Sequence, residues 1–332
     1  MALHAIDDVS EAIDVTREFL FPFELRRWLK LAIVAFFIGG TTSAPTGNFN
    51  TGGTPGQTPD QPPSGFPDGG FPSSVPDDIL LIIGLVVAVV LVIGLVFAIV
   101  GSIMEFVFIE SLRSGEVTIR RYWSQRWGQG LRLFGFRVAI GIPFLLILVG
   151  WLALLLVPLL TGTGGPAVLA FALGIPLIFI AALVYGVVDT FTTAFVVPLM
   201  IQNDSGVLAA WGRLWSSVKA EWKQYLAYAL VAFGLGIVVA FLMSIVLGIG
   251  AVIVAIPLAI LGGITYLALS FSTAGLVIIG VLAAIFVVAV IVLTALVQVP
   301  ILAYLRYYAL LVLGDIEPEF DLIPDRRPAD DE

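Results

Sequence analysis

Three long apolar runs fill most of the chain, at residues 31–112, 138–212 and 224–305, each dominated by Leu, Val, Ile, Ala, Phe and Gly. All sixteen Lys and Arg residues lie outside them, in four islands: Arg17 to Lys30, Arg113 to Arg137, Arg213 to Lys223, and Arg306 to Arg327. An apolar helix of about 20 residues crosses a hydrocarbon core, so each run has room for two spans. Short basic segments beside spans favour the cytoplasmic side, and four islands on one face require an even number of crossings in every run. The pattern predicts an all-α fold: a polytopic transmembrane helix bundle of about six spans. Both termini, and a set of interfacial amphipathic helices, are expected on the cytoplasmic side of the cell membrane. The spans are expected near 25–43, 79–104, 133–160, 166–201, 225–248 and 276–305, within a membrane domain covering 25–313.

The same pattern assigns the segments around the spans. Residues 1–24 read as a cytoplasmic amphipathic segment. Within it, 5–20 suits a helix with Ile6, Val9, Ile13 and Leu20 on one face and Asp8, Glu11 and Glu18 off it. Residues 41–78 carry no Lys or Arg and are rich in Pro, Gly, Thr and Ser, so they cannot bury enough apolar surface to offset their ordering entropy. They are expected to form a disordered external loop. Residues 249–271 are apolar enough for a seventh span, which would carry Arg306, Arg326 and Arg327 to the outside. Pro257, Gly262 and Gly263 interrupt that stretch, which favours a re-entrant or interfacial hairpin over an extra span. Residues 314–332 read as an acidic cytoplasmic tail. Glu105 to Arg137 and Ala194 to Tyr228 share one layout, from a span end through Ser114-Gly115 or Ser205-Gly206 into a basic, Trp-bearing segment. That weak repeat fits two-helix units set in the same orientation.

Composition sharpens this picture mainly by exclusion. The chain is 59% hydrophobic and 12% charged, with a mean hydropathy of +1.06, far from soluble globular values. It has no Cys, which excludes disulfides, thiolate metal sites and Cys nucleophiles, and its lone His4 excludes sites built on two or more His. A net charge of −8 comes from acidic ends and an acidic loop; Arg outnumbers Lys thirteen to three, and Asp315 to Glu332 holds eight carboxylates. An acidic, Lys-poor surface suits a halophilic source, where salt screens self-repulsion, or is simply an acidic tail. The polar, acid-rich start does not read as a signal peptide.

Candidate chemistry falls in two groups. The first is the pair of segments between spans. One carries Arg120, Arg121, Trp123, Arg126 and Trp127, the other Trp211, Arg213, Trp215, Lys219 and Trp222. Trp and Arg at helical spacing suit helices in the headgroup layer, with indoles at the interface and guanidiniums on lipid phosphates. The second group is ionisable or polar and lies within or beside spans: Asp189, Thr192, Thr193, Glu105 and Arg137. Asp189 near threonines could bind a cation or relay a proton, or be a carboxylate held by Arg137; Glu105 could pair with Arg137 and stabilise the bundle without chemistry. No P-loop, Rossmann fingerprint, Gly-x-Ser-x-Gly elbow or metalloprotease helix is present, and neither an enzymatic activity nor a cofactor is expected. Expected partners are membrane lipids and other membrane proteins or a second copy, with no nucleic acid.

The run TREFLFPFELRRWLKLAIVAFFIGG, the Pro/Gly-rich loop after it and the paired Ser-Gly-to-Trp segments resemble an uncharacterised haloarchaeal multi-pass membrane protein family. That resemblance implies location and fold class only. The layout is also distantly similar to the membrane domain attached to some glycerophosphodiester phosphodiesterases. No such phosphodiesterase domain is present, so the resemblance implies no catalytic activity.

Overall fold

A computed structural model describes residues 4–39, 77–160, 164–270 and 272–327, and all regular structure among them is helical. The expected external loop at 41–78 lies almost entirely outside the described residues. The helices are α1 (His4–Leu20), α2 (Leu25–Gly39), α3 (Asp77–Ser114), α4 (Ile119–Leu160), α5 (Gly164–Phe191), α6 (Val197–Asn203), α7 (Val207–Ala220), α8 (Trp222–Leu269) and α9 (Thr273–Ile316). A π-helical turn, Thr192–Val196, joins α5 to α6.

The ends follow from local chemistry. Two carboxylates, Asp77 and Asp78, open α3, where the exposed N–H groups favour negative charge. Gly115, at φ +75°, closes it with its N–H on the Ser111 carbonyl. Asp204, at φ +45°, closes α6 in the left-handed region that Asp tolerates better than most residues. Ser272 caps α9, its hydroxyl accepting from the Gly275 N–H at 3.2 Å.

Five helical stretches are long and apolar enough to cross a membrane: Gly84–Ser114, Ile119–Val157, Val168–Asn203, Trp222–Leu269 and Thr273–Ile316. The span expected at 25–43 corresponds to α2, whose 15 described residues extend about 22 Å, short of a hydrocarbon core. The hairpin expected at 249–271 does not form. Residues 249–269 continue α8, a helix of 48 residues with Pro257 inside it. Pro257 removes one backbone donor, whereas a hairpin in an apolar stretch would strand several polar groups at once. Gly262 and Gly263 lie against little except Leu282 of α9, so nothing forces a bend there.

The packed core lies at the basic end of the molecule. It gathers Ile103 to Leu112 of α3, Ala194 to Ile201, Leu214 of α7, Tyr225 and Tyr228 of α8, and Tyr307 to Leu313 of α9. Phe195 meets Tyr225 edge-on at 5.5 Å, and Tyr228 stacks on Tyr308 at the same separation. Away from this core, α4/α5 and α8/α9 continue as two hairpins whose large apolar side chains stand mostly exposed. Within them Trp151 donates to the Ala170 carbonyl at 2.9 Å and occupies the space above Gly174.

One expectation about the chain ends changes. The buried stripe of α1 is Asp8, Ala12, Val15, Thr16, Phe19 and Leu20, with Val9 packed beside it, and Ile13 faces outward at 54% exposure. This stripe keeps the helical period but starts on a carboxylate, which apolar counting puts on the wrong face. As far as Arg327, the segment at 314–332 is held against the helices. Leu322 and Ile323 are buried, Gln202 donates to the Glu319 carbonyl at 2.7 Å, and Arg327 bonds Asp321 at 2.9 Å and pairs with Asp315.

Candidate functional site

Where the hairpins enter the packed core, four charged side chains from four helices form a ladder. Glu105 of α3 is fully buried. Arg306 of α9 clamps it with one nitrogen, Nη2, at 3.1 and 3.0 Å from the two carboxylate oxygens. On its other side Arg137 of α4 lies 3.6 Å from Oε1. The same guanidinium reaches α5 and the π-helical turn after it, donating from Nε to Asp189 Oδ1 at 3.2 Å and from Nη2 to Thr193 Oγ1 at 3.0 Å. The order is therefore Arg306, Glu105, Arg137, Asp189, with alternating signs that cancel. The two guanidiniums still carry unpartnered buried donors among the described residues, Arg306 Nε and Arg137 Nη1.

The π-helical turn begins three residues after Asp189. Pro198 cannot donate back into the preceding turn and its ring crowds it, which loosens the helix there. The hydroxyls of Thr192 and Thr193 bond back to the carbonyls of Val188 and Asp189 at 2.6 and 2.7 Å. Thr192 in turn accepts from the indole of Trp211 on α7 at 3.2 Å. Of the five polar residues expected to matter, Glu105, Arg137, Asp189 and Thr193 meet directly, while Thr192 turns to Trp211 instead. Arg306 is the member that sequence reasoning missed, because it was counted as the edge of a basic island. Its one sequence signal is that it is the only charged residue of α9 before Asp315.

From the ladder to the far ends, α3, α4, α5 and α9 carry no charge between residues 79–104, 138–160, 164–188 and 273–305. The α4 stretch alone spans about 34 Å at 1.5 Å per residue, enough to fill a hydrocarbon core of about 30 Å.

Below the ladder, towards the basic end, the expected headgroup residues divide. Arg120, Arg121, Trp127, Arg213, Trp215, Lys219 and Trp222 are exposed, and Trp123 is half-buried against Trp127 at 5.5 Å. Lys219 lies over the Trp215 ring at 5.6 Å. Arg126 and Trp211 do not belong with them. Arg126 donates twice to Glu110, at 2.9 and 2.5 Å, and once to Gln129, while Trp211 is committed to Thr192. Gln129 extends this second cluster to the Met200 carbonyl and Asp204, both at 2.9 Å, stitching α4 to the end of α6. A groove of about 610 Å³ beside it is lined by both signs, including Arg113, Arg121, Arg326, Glu116 and Asp325. Among the described residues no group of three or more His, Cys, Asp or Glu is arranged to hold a metal ion.

The model of one family, DUF7544, matches residues 3–323. The chain belongs to this family of unknown function. No curated protein and no solved structure matches it. Membership of DUF7544 covers every element described above, from α1 to Ile323, so the docked chain end lies largely within the family's extent.

Proposed function

We propose that this DUF7544 protein is a non-catalytic, multi-pass component of the cell membrane that organises anionic lipid, and through it partner proteins, at the cytoplasmic face. The observation that carries this reading is the division of its charges. Every carboxylate of the ladder already has a guanidinium partner, whereas five basic or Trp side chains on α7 and the first turn of α8, Arg213, Trp215, Lys219, Trp222 and Lys223, stand outward together. Indoles at the headgroup level beside basic groups suit a surface of anionic lipid, each Lys or Arg contributing about 1 kcal/mol near such a surface. In this reading both termini are cytoplasmic, α2 begins a sixth crossing, and the ladder marks the inner edge of the hydrocarbon core rather than its centre. The acidic, Lys-poor remainder of the surface supports a high-salt source.

The test is lipid association in vesicles of mixed zwitterionic and anionic lipid, read by spin-labelled anionic lipid. Replacing Arg120, Arg121, Arg213 and Lys219 together by Gln should weaken the preference for anionic lipid at least tenfold and leave the fold intact, and an unchanged preference overturns the reading. Orientation is checked with a single Cys in this Cys-free chain. Ser216 is exposed and suits the label, while its neighbour Ser217 is buried against the Tyr225 hydroxyl. Labelling of Ser216→Cys from outside intact cells would reverse the topology.

A second reading has its own observation. The π-helical turn begins three residues after Asp189, and such turns recur at functional sites. A small-solute or ion transporter with Asp189 as its coupling carboxylate would then show flux in proteoliposomes that Asp189→Asn abolishes. Our reading expects no flux in either protein across a broad solute panel.

A further inference from the structure

The helix α1 is held to the end of α9 by an apolar seam of Ala12, Val15 and Phe19, with Phe19 edge-on to Tyr307 at 5.8 Å. One carboxyl interrupts that seam. Asp8 is only 2% exposed, and its Oδ2 has no hydrogen-bond partner among the described residues. From the last turn of α9 the charge of Asp315 opposes the ionisation of Asp8. A buried carboxyl without a cation of its own is favoured in its neutral, protonated form. Among the described residues the cation acting on it is Arg327 of the docked chain end, which is committed to Asp315, to Asp321 at 2.9 Å and to the Leu311 carbonyl at 3.3 Å. Glu11 adds a further negative charge from α1 itself. From α9 the neighbouring titratable groups are Tyr308, with Tyr228 of α8 stacked on it, and Tyr304, whose hydroxyl meets the Val9 carbonyl at 3.5 Å.

We propose that a proton held on the buried carboxyl of Asp8 is a latch that fastens the N-terminal helix to α9 and loosens it as the solution bathing the basic end becomes alkaline. Burial first, then the charges of Asp315 and Glu11, against a smaller opposing effect of Arg327, push Asp8 up to about 8. Undocked, Asp8 is an ordinary carboxyl that ionises near 3.8. The docked form therefore binds one more proton than the undocked form between those two values. Docking is strongest below the lower value, weakens as pH rises between them, and stays at its weakest above about 8. Release uncovers Ala12, Val15, Phe19 and Leu20, an apolar stripe on a helix with acidic residues on its other faces. The latch is thus a way of presenting an amphipathic helix on demand.

Hydrogen exchange of the full chain in nanodiscs tests this, with rates corrected for the intrinsic pH dependence of exchange. Protection of the α1 amides should fall about tenfold per pH unit from about pH 5 to about pH 8 and then level off, the slope of a single linked proton. Amides of α7 should show no such trend. In Asp8→Asn, whose neutral amide keeps the size of the carboxyl, α1 protection should be independent of pH. In Asp315→Asn the levelling should come at lower pH, because the nearest negative charge is gone. A flat profile in the wild type, or a slope that survives in Asp8→Asn, overturns the latch, and Asp315→Asn decides the matter if Asp8→Asn does not fold.

Discussion

Glu105 sits between two arginines, Arg306 and Arg137, and shares the second with Asp189. Removing one partner of a buried pair leaves an uncompensated charge and costs about 3–5 kcal/mol, while replacing the whole set by apolar groups of similar size is often neutral. Glu105→Gln should therefore lower thermal stability in detergent by an amount in that range, with Asp189→Asn costing less because Arg137 keeps Glu105. A variant carrying Glu105→Leu with Arg306→Met should recover part of the loss. If Glu105→Gln melts like the wild type, the ladder is not holding the helices together. Gly115 is a separate case at this scale: its φ of +75° and the Arg326 guanidinium above it both oppose a side chain. Gly115→Ala should cost about 1–2 kcal/mol, chiefly from the left-handed backbone, since Arg326 can swing away. The pairing of Glu105 with Arg137 was legible in sequence because both flank the same basic island. Arg306 was not, since it lies 201 residues from its partner and nothing local distinguishes a paired arginine from a snorkelling one.

At the scale of elements, apolar run length found the helices and misjudged where one of them ends. A period-free apolar stretch with one Pro and a Gly pair is compatible with a break, and only the partner helix decides. In α8 the partner is α9, with Gly250 against Leu293 and Gly262 4.0 Å from Leu282. These two contacts lie on either side of Pro257 and keep one antiparallel register. The paired variant Gly262→Cys with Leu282→Cys should form an efficient cross-link with a short bifunctional reagent, and Gly262→Cys with Leu293→Cys should not. A hairpin at 249–271 would bring neither pair together in this register. The stripe of α1 misled in a different way. Periodicity was right about the helix but assigned the face by counting apolar residues, which sets a carboxyl such as Asp8 off the buried side.

The whole molecule is built in two levels, a tightly packed basic end and a set of apolar hairpins that touch little beyond their own partner strand of helix. The gathering of Trp and Arg on two segments was legible in the sequence, but Arg126 and Trp211 show that spacing cannot tell an outward side chain from one turned to the core. Loss of the inward pair is expected to be structural. Trp211→Phe should lower stability by about 1 kcal/mol through the lost hydrogen bond to Thr192 and leave lipid preference unchanged, a split that vesicle binding and thermal melts read directly. The two hairpins also differ in height. Beyond the ladder α4 runs through residues 138–160, about 34 Å, while α9 runs through 273–305, about 50 Å. A bilayer of uniform thickness cannot suit both. Lipid beside the taller pair must stretch, or that pair must lean, so the protein carries a built-in thickness gradient that puckers its surroundings and draws it towards thicker or unevenly curved membrane.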